Sequence, residues 1–198
     1  MRASELKSLP FIKRAAALAR GAGIKLAQSY TLAVVNNLLN KKDFVTSEMA
    51  KIIDVLPQDL VFDHIHLKTN FQTAFDAAVE TLKRTDYEIL VNSKHFVVFK
   101  EPNSNITVAI DAPSQLKYPW DPPIALDHLG FVLKDEALFK SLLKKAKMIE
   151  SRNFGEKKIN KGIFETDQQK SITRVIKILT NLRRFELLDK SPAELIRK

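Results

Sequence analysis

Two phrases of this chain place an imidazole in matching surroundings: Phe62-Asp63-His64-Ile65-His66-Leu67 and Leu126-Asp127-His128-Leu129-Gly130-Phe131. In each, an aspartate precedes a histidine set among apolar residues, and the two central histidines are 64 positions apart. Imidazole is a proton carrier or a metal ligand near neutral pH. The plain alternative is a pair of half-buried strand histidines hydrogen-bonded to Asp63 and Asp127. With no cysteine in the chain, thiolate metal sites, disulfides and a cysteine nucleophile are all excluded. A Gly-rich phosphate loop, a dinucleotide fingerprint, a nucleophile elbow and a His-Glu-x-x-His sequence are also missing, and five glycines leave little room for them.

The elements that must position these histidines follow from apolar spacing. Residues 1–58 read as three short helices, with Gly21-Ala22-Gly23 as the first stop, a second stripe of Leu26, Tyr30, Ala33, Val34 and Leu38, and a third helix capped by Thr46 or Ser47 and ended before Pro57. Three helices with a Gly-containing turn also describe a helix-turn-helix module, although docking or dimerisation is the commoner use of such a unit. From Val61 the period changes to two. Strands are expected at Val61–Lys68, Tyr87–Val91, His95–Lys100 and Ile106–Ile110, with a helix over Asn70–Arg84. A proline-rich connector, Ala112 to Pro123, leads to a strand at Ala125–Leu133 and a helix bearing Leu138, Leu142, Leu143 and Ala146. Phe99 and Phe164 lie 35 and 36 positions beyond their respective histidines, which suggests a duplicated unit. On that alignment Gly162–Glu165 is the third strand of the second copy and Ser171–Ile178 the fourth, the latter also suiting a helix running on through Phe185. The chain is thus read as α+β: a three-helix N-terminal unit (1–58), two βαβββ modules (61–112 and 124–180) and a helical basic tail (181–198).

Asp63-His64-Ile65, Leu126-Asp127-His128-Leu129-Gly130-Phe131 and the turn Phe99-Lys100-Glu101-Pro102-Asn103-Ser104-Asn105-Ile106 resemble the vicinal oxygen chelate superfamily, which includes glyoxalase I, extradiol dioxygenases and bleomycin-binding proteins. The resemblance covers Val61 to Ile178. It implies paired βαβββ modules around a cleft in which a divalent ion is held by His from first strands and Glu from last strands, with open positions for two neighbouring oxygens of a substrate. His64 and His128 stand where the histidine ligands fall. On the expected strands the carboxylate positions hold Thr107 or Val108 and Thr173 or Arg174, so the carboxylates are missing, with Asp111, Glu165 or a symmetry-related chain as substitutes. The expectation is therefore a non-catalytic binding protein on a degenerate glyoxalase-like fold, with no cofactor. A metal-dependent lyase, transferase or dioxygenase using His64 and His128 is the alternative.

His64-Ile65-His66 also matches the His-hydrophobic-His signature of rolling-circle nickases, where both imidazoles hold one metal; those enzymes need a tyrosine nucleophile, for which only Tyr30, Tyr87 and Tyr118 are available. Tyr118 and Trp120, in the connector, are candidates with His66 for ligand contact. The net charge is +9, and from Ser141 onward 15 Lys and Arg face 7 Asp and Glu. Lys144, Lys145, Lys147, Arg174, Arg183 and Arg184 are the candidate contacts for an anion, a nucleic acid or an acidic protein partner. A homodimer is a further expected partner, a membrane is not, and a cytoplasmic bacterial protein is the expected setting. The Ala-, Arg- and Lys-rich N-terminus resembles an organelle transit peptide superficially, but Glu5 and Pro10 fit that reading poorly.

Overall fold

The structure is a computed structural model that describes residues 10–113, 122–150, 159–165, 170–179 and 184–191. Eight strands form one sheet: β1 (Leu60–Thr69), β2 (Glu88–Asn92), β3 (Phe96–Lys100), β4 (Thr107–Asp111), β5 (Ile124–Leu133), β6 (Ile159–Glu165), β7 (Lys170–Leu179) and β8 (Arg184–Leu188). Their order is β2-β3-β4-β1-β5-β8-β7-β6. Among the described residues four α-helices accompany them: α1 (Pro10–Asn40), α2 (Lys42–Ile53), α3 (Gln72–Lys83) and α4 (Glu136–Glu150). Each half of the sheet has the order strand, helix, three strands, and the halves meet where β1 pairs antiparallel with β5. In each half the last strand lies parallel to the first, β4 beside β1 and β8 beside β5.

Among the described residues of the prefix there are two α-helices, α1 and α2, and the first break expected from the sequence is absent. Gly21 and Gly23 do not stop α1, which runs unbroken through both. A helical glycine costs about 1 kcal/mol relative to alanine, and the buried stripe of Ala27, Thr31, Val35 and Leu38 recovers more than that by packing. This stripe is offset from the expected one, since Leu26 is exposed. The second helix begins at Lys42, upstream of Thr46 and Ser47, and ends at Asp54, whose left-handed φ of 58° and N–H bond to the Ala50 carbonyl close the last turn. Tyr30 anchors the prefix to the sheet: its hydroxyl accepts the N–H of Leu126 at 3.1 Å.

On β1 and β5 alternate residues face opposite sides. Ile65, Leu67, Leu129 and Phe131 are fully buried and join Val108, Ile110, Phe75, Leu82 and Phe139 in the core. The histidines occupy the other face.

The second half departs from its expected outline at its end. Gly162–Glu165 belongs to the second strand of that half, β6, and Ser171–Ile178 to the third, β7. The fourth is Arg184–Leu188, which pairs with β5 from His128↔Arg184 to Val132↔Leu188. Phe99 and Phe164 are therefore not equivalent: Phe99 is on β3, inside the sheet, and Phe164 is on the edge strand β6. The tail drawn as helical contributes a strand, with Phe185, Leu187 and Leu188 buried.

A candidate metal centre at the junction of the two halves

The β1–β5 pairing has two irregularities related by a local twofold. Phe62 pairs with Phe131 and His64 with Gly130, so Asp63 is an extra residue on β1; His66 pairs with His128 and Leu67 with Leu126, so Asp127 is the extra residue on β5. Such a bulge interrupts the side-chain alternation and re-aims its residues. Phe62 and Phe131 consequently meet edge to face in the core, with centroids 5.3 Å apart, and each aspartate lies beside the histidine that follows it.

Those neighbours are hydrogen-bonded. Nδ1 of His64 is 2.8 Å from Oδ2 of Asp63, and Nδ1 of His128 is 2.8 Å from Oδ2 of Asp127. An ionised carboxylate only accepts, so Nδ1 donates in both pairs and each neutral ring presents a lone pair on Nε2. The two Nε2 atoms face each other at 3.2 Å. Oε2 of Glu186, from β8, approaches Nε2 of His128 to 3.2 Å. His64 and His128 are 7% and 4% exposed, and the Glu186 side chain is 12% exposed, so these groups are largely withdrawn from water.

Gly130 makes this approach possible. A Cβ built there would overlap Cε1, Nδ1 and Nε2 of the His64 ring, so the imidazole lies in the space that any other residue would fill. Lys68 adds an ion pair to Asp127 at 2.7 Å, fixing that carboxylate from its second side.

His66 completes the cluster. Its Nδ1 is 3.3 Å from Nε2 of His128, and its Nε2 is 3.1 Å from Oδ2 of Asp111 but is not aligned to donate a hydrogen bond to it. The two neighbouring histidines of the site are pushed in opposite directions. Burial lowers the pKa of His66, assisted by the charges of His128 and His64 against the opposing pull of Asp111. Burial also acts downward on His128, but hydrogen bonds to Asp127 and Glu186, with their negative charges, outweigh it and hold His128 above the ordinary imidazole value.

His64, His128 and Glu186 can place one ligand atom each within 4.8 Å of one another, as can His66, Asp127 and His128. The donor chemistry of the first set fits a divalent ion. With both rings neutral, two lone pairs and a carboxylate oxygen converge, and a cation there takes the place of the proton that His128 otherwise shares with Glu186.

The outcome for each expected residue is mixed. The structure brings His64, His66 and His128 together and adds Glu186, which the sequence reading missed. Its signal is the alternation Phe185-Glu186-Leu187, two core residues flanking an acid, which placing the last strand at Ser171–Ile178 obscures. The register also moves the first half's carboxylate position: Ala109, opposite His66, is the counterpart of Glu186, opposite Gly130. Thr107 is instead the counterpart of Arg184, and both Thr173 and Arg174 lie on β7. Lys144 is exposed on α4, which also carries Lys145 and Lys147; Arg174 is on β7 and Arg184 on β8. Tyr118, Trp120 and Arg183 lie outside the described residues.

No protein-family model and no curated protein match the sequence. Among solved structures, "Structural Genomics, Protein EC4020" is similar over 84% of this chain and 92% of its own, with 14% identity and a TM-score of 0.52. The sheet order places two strand-helix-three-strand halves edge to edge through their first strands. That arrangement is the one the resemblance to the vicinal oxygen chelate superfamily implies. Two further neighbours are more distant. Methylmalonyl-CoA epimerase from Mycobacterium tuberculosis has 13% identity over 69% of this chain and 91% of its own, with a TM-score of 0.42. A glyoxalase/bleomycin resistance protein/dioxygenase superfamily member from Vibrio splendidus has 10% identity over 65% and 97%, with a TM-score of 0.37. Among the described residues no helix is long and apolar enough to cross a membrane.

Proposed function

We propose that the protein is a divalent-metal-dependent enzyme of the vicinal oxygen chelate type, acting on a small substrate through two neighbouring oxygen atoms, with His64, His128 and Glu186 as the metal ligands. The observation that carries this reading is the convergence of Nε2 of both histidines and Oε2 of Glu186 within 4.8 Å. The expectation of a non-catalytic binding protein rested on the absence of an acid from the last strands, and Glu186 removes that ground.

Three protein donors leave coordination positions open, the arrangement a chelating substrate requires. When bound, a divalent ion supplies Lewis acidity to a substrate oxygen. The chain's own residues do the positioning. Asp63 and Asp127 fix the rotation and tautomer of the two imidazoles, so that each ring turns its lone pair inward. Gly130 admits the His64 ring, and Lys68 holds the Asp127 carboxylate in place through their ion pair.

The test is metal analysis of the purified full-length chain after exposure to Mn, Fe, Ni or Zn and removal of the excess. One ion per chain is expected, with uptake lost in His64→Ala and in His128→Ala while circular dichroism is unchanged. A folded wild-type chain that retains no metal would remove the reading.

A further inference from the structure

The local twofold of the site makes two register pairs equivalent, and they differ in a complementary way. On one side Gly130 of β5 faces Glu186 of β8; on the other, His66 of β1 faces Ala109 of β4. Each pair combines one side chain able to bind a metal with one of minimal size. In the second half the donor is on the last strand, and the first strand yields space. In the first half the donor is on the first strand, and the last strand yields space.

We propose that His66 supplies a fourth ligand to the ion held by His64, His128 and Glu186, taking over the place that Ala109 leaves without a donor. This rests on the metal reading above and deepens it. Nδ1 of His66 is 3.3 Å from Nε2 of His128, close to the 3.2 Å separating that same atom from His64 and from Glu186. His128 Nε2 is thus the common neighbour of three other donors. The outer nitrogen of His66 is buried, lacks an aligned hydrogen-bond partner and faces Asp111 at 3.1 Å, so the inner nitrogen is the one turned toward the site. His66 groups with Asp127 and His128 rather than with His64 and Glu186, so it joins the ion by swinging its inner nitrogen toward them on binding.

The consequence is a set of three imidazoles and one carboxylate. Such a set favours Zn, Fe, Co, Ni or Cu over Mg, Ca or Mn, which prefer an oxygen-rich environment. It also carries one negative charge fewer than a set with a carboxylate in place of each strand-end donor.

The deciding experiment loads the full chain with Cu(II) and counts the coupled imidazoles by pulsed electron paramagnetic resonance, alongside Zn(II) affinity from chelator competition. Three imidazoles are expected in the wild type and two in His66→Gln, whose Zn(II) affinity falls by more than about 100-fold, beyond the effect typical of losing an outer-shell partner. The double variant His66→Gly with Ala109→Glu mirrors the second half; it should regain affinity with two coupled imidazoles and accept Mn(II) more readily. A count that stays the same in a folded His66→Gln protein overturns the inference while leaving the three-ligand site standing, even if affinity drops. A wild type that binds neither ion overturns the inference and the metal reading together.

Discussion

The two halves of the sheet share a topology and an Asp-His phrase, yet they treat the site differently. The second half commits a carboxylate from its last strand, Glu186, and clears space with Gly130; the first half places Ala109 on its last strand and keeps a second imidazole, His66, on its first. A duplicated frame therefore does not require duplicated ligands. Once the strands are in register, a donor can arise on either member of a facing pair, provided that the other member is small.

The sharpest way to break this comparison is to fill the small positions. Gly130→Ala puts a methyl group into the His64 ring. It should abolish metal uptake and destabilise the fold by about 1–3 kcal/mol, the usual cost of overpacking a filled space. Ala109→Gly, at the equivalent place in the other half, should leave uptake intact and cost only about 0.5–1 kcal/mol for a glycine in a strand. Metal titration and thermal melts of the two variants check both statements, and equal effects would dissolve the asymmetry.

An intermediate effect is expected from the aspartates. Asp63→Asn and Asp127→Asn each remove the carboxylate that orients an imidazole, and should weaken metal binding by roughly 10–100-fold. Asp127→Asn should be the more severe, because it also releases Lys68. Affinities measured by chelator competition would contradict this if either variant matched the wild type.

The smallest effect is in pH dependence without metal. The folded pKa of His128 is raised, so its contribution to stability is fully present below the unfolded value of 6.5 and is lost as pH rises through the folded value. The folded pKa of His66 is lowered, so its contribution is present above 6.5 and is lost as pH falls through the folded value. Melting temperatures across this range should therefore show His128→Gln more sensitive to acid than the wild type and His66→Gln less so. Shifts of the same sign in both variants would contradict the assignment.

Much of the first half was legible in the sequence. Period-two runs and the helix over residues 70–84 locate its strands to within a few residues, because short loops keep each apolar run next to its partner. The second half was not. Its strand order was set by matching Phe164 to Phe99, which overlooks the greater length of its helix and strands; the error moved the last strand upstream and hid Glu186. The bulges at Asp63 and Asp127 were equally invisible, since an extra residue in a strand is defined by its partner's register rather than by its own spacing. The glycines misled in the opposite direction. Gly21 and Gly23 read as a stop but lie within a helix held by Ala27, Thr31, Val35 and Leu38, whereas Gly130, inconspicuous in the sequence, makes room for the His64 ring.

The central claim is that the carboxylate of the last strand completes a metal site with the two duplicated histidines. Its most direct test is the metal content of Glu186→Ala beside the wild type, measured on folded protein after removal of excess ion. The account predicts one ion per chain in the wild type and its loss in the variant. A Glu186→Ala protein that retains a full complement of metal would show that the ion is held elsewhere and would contradict the account.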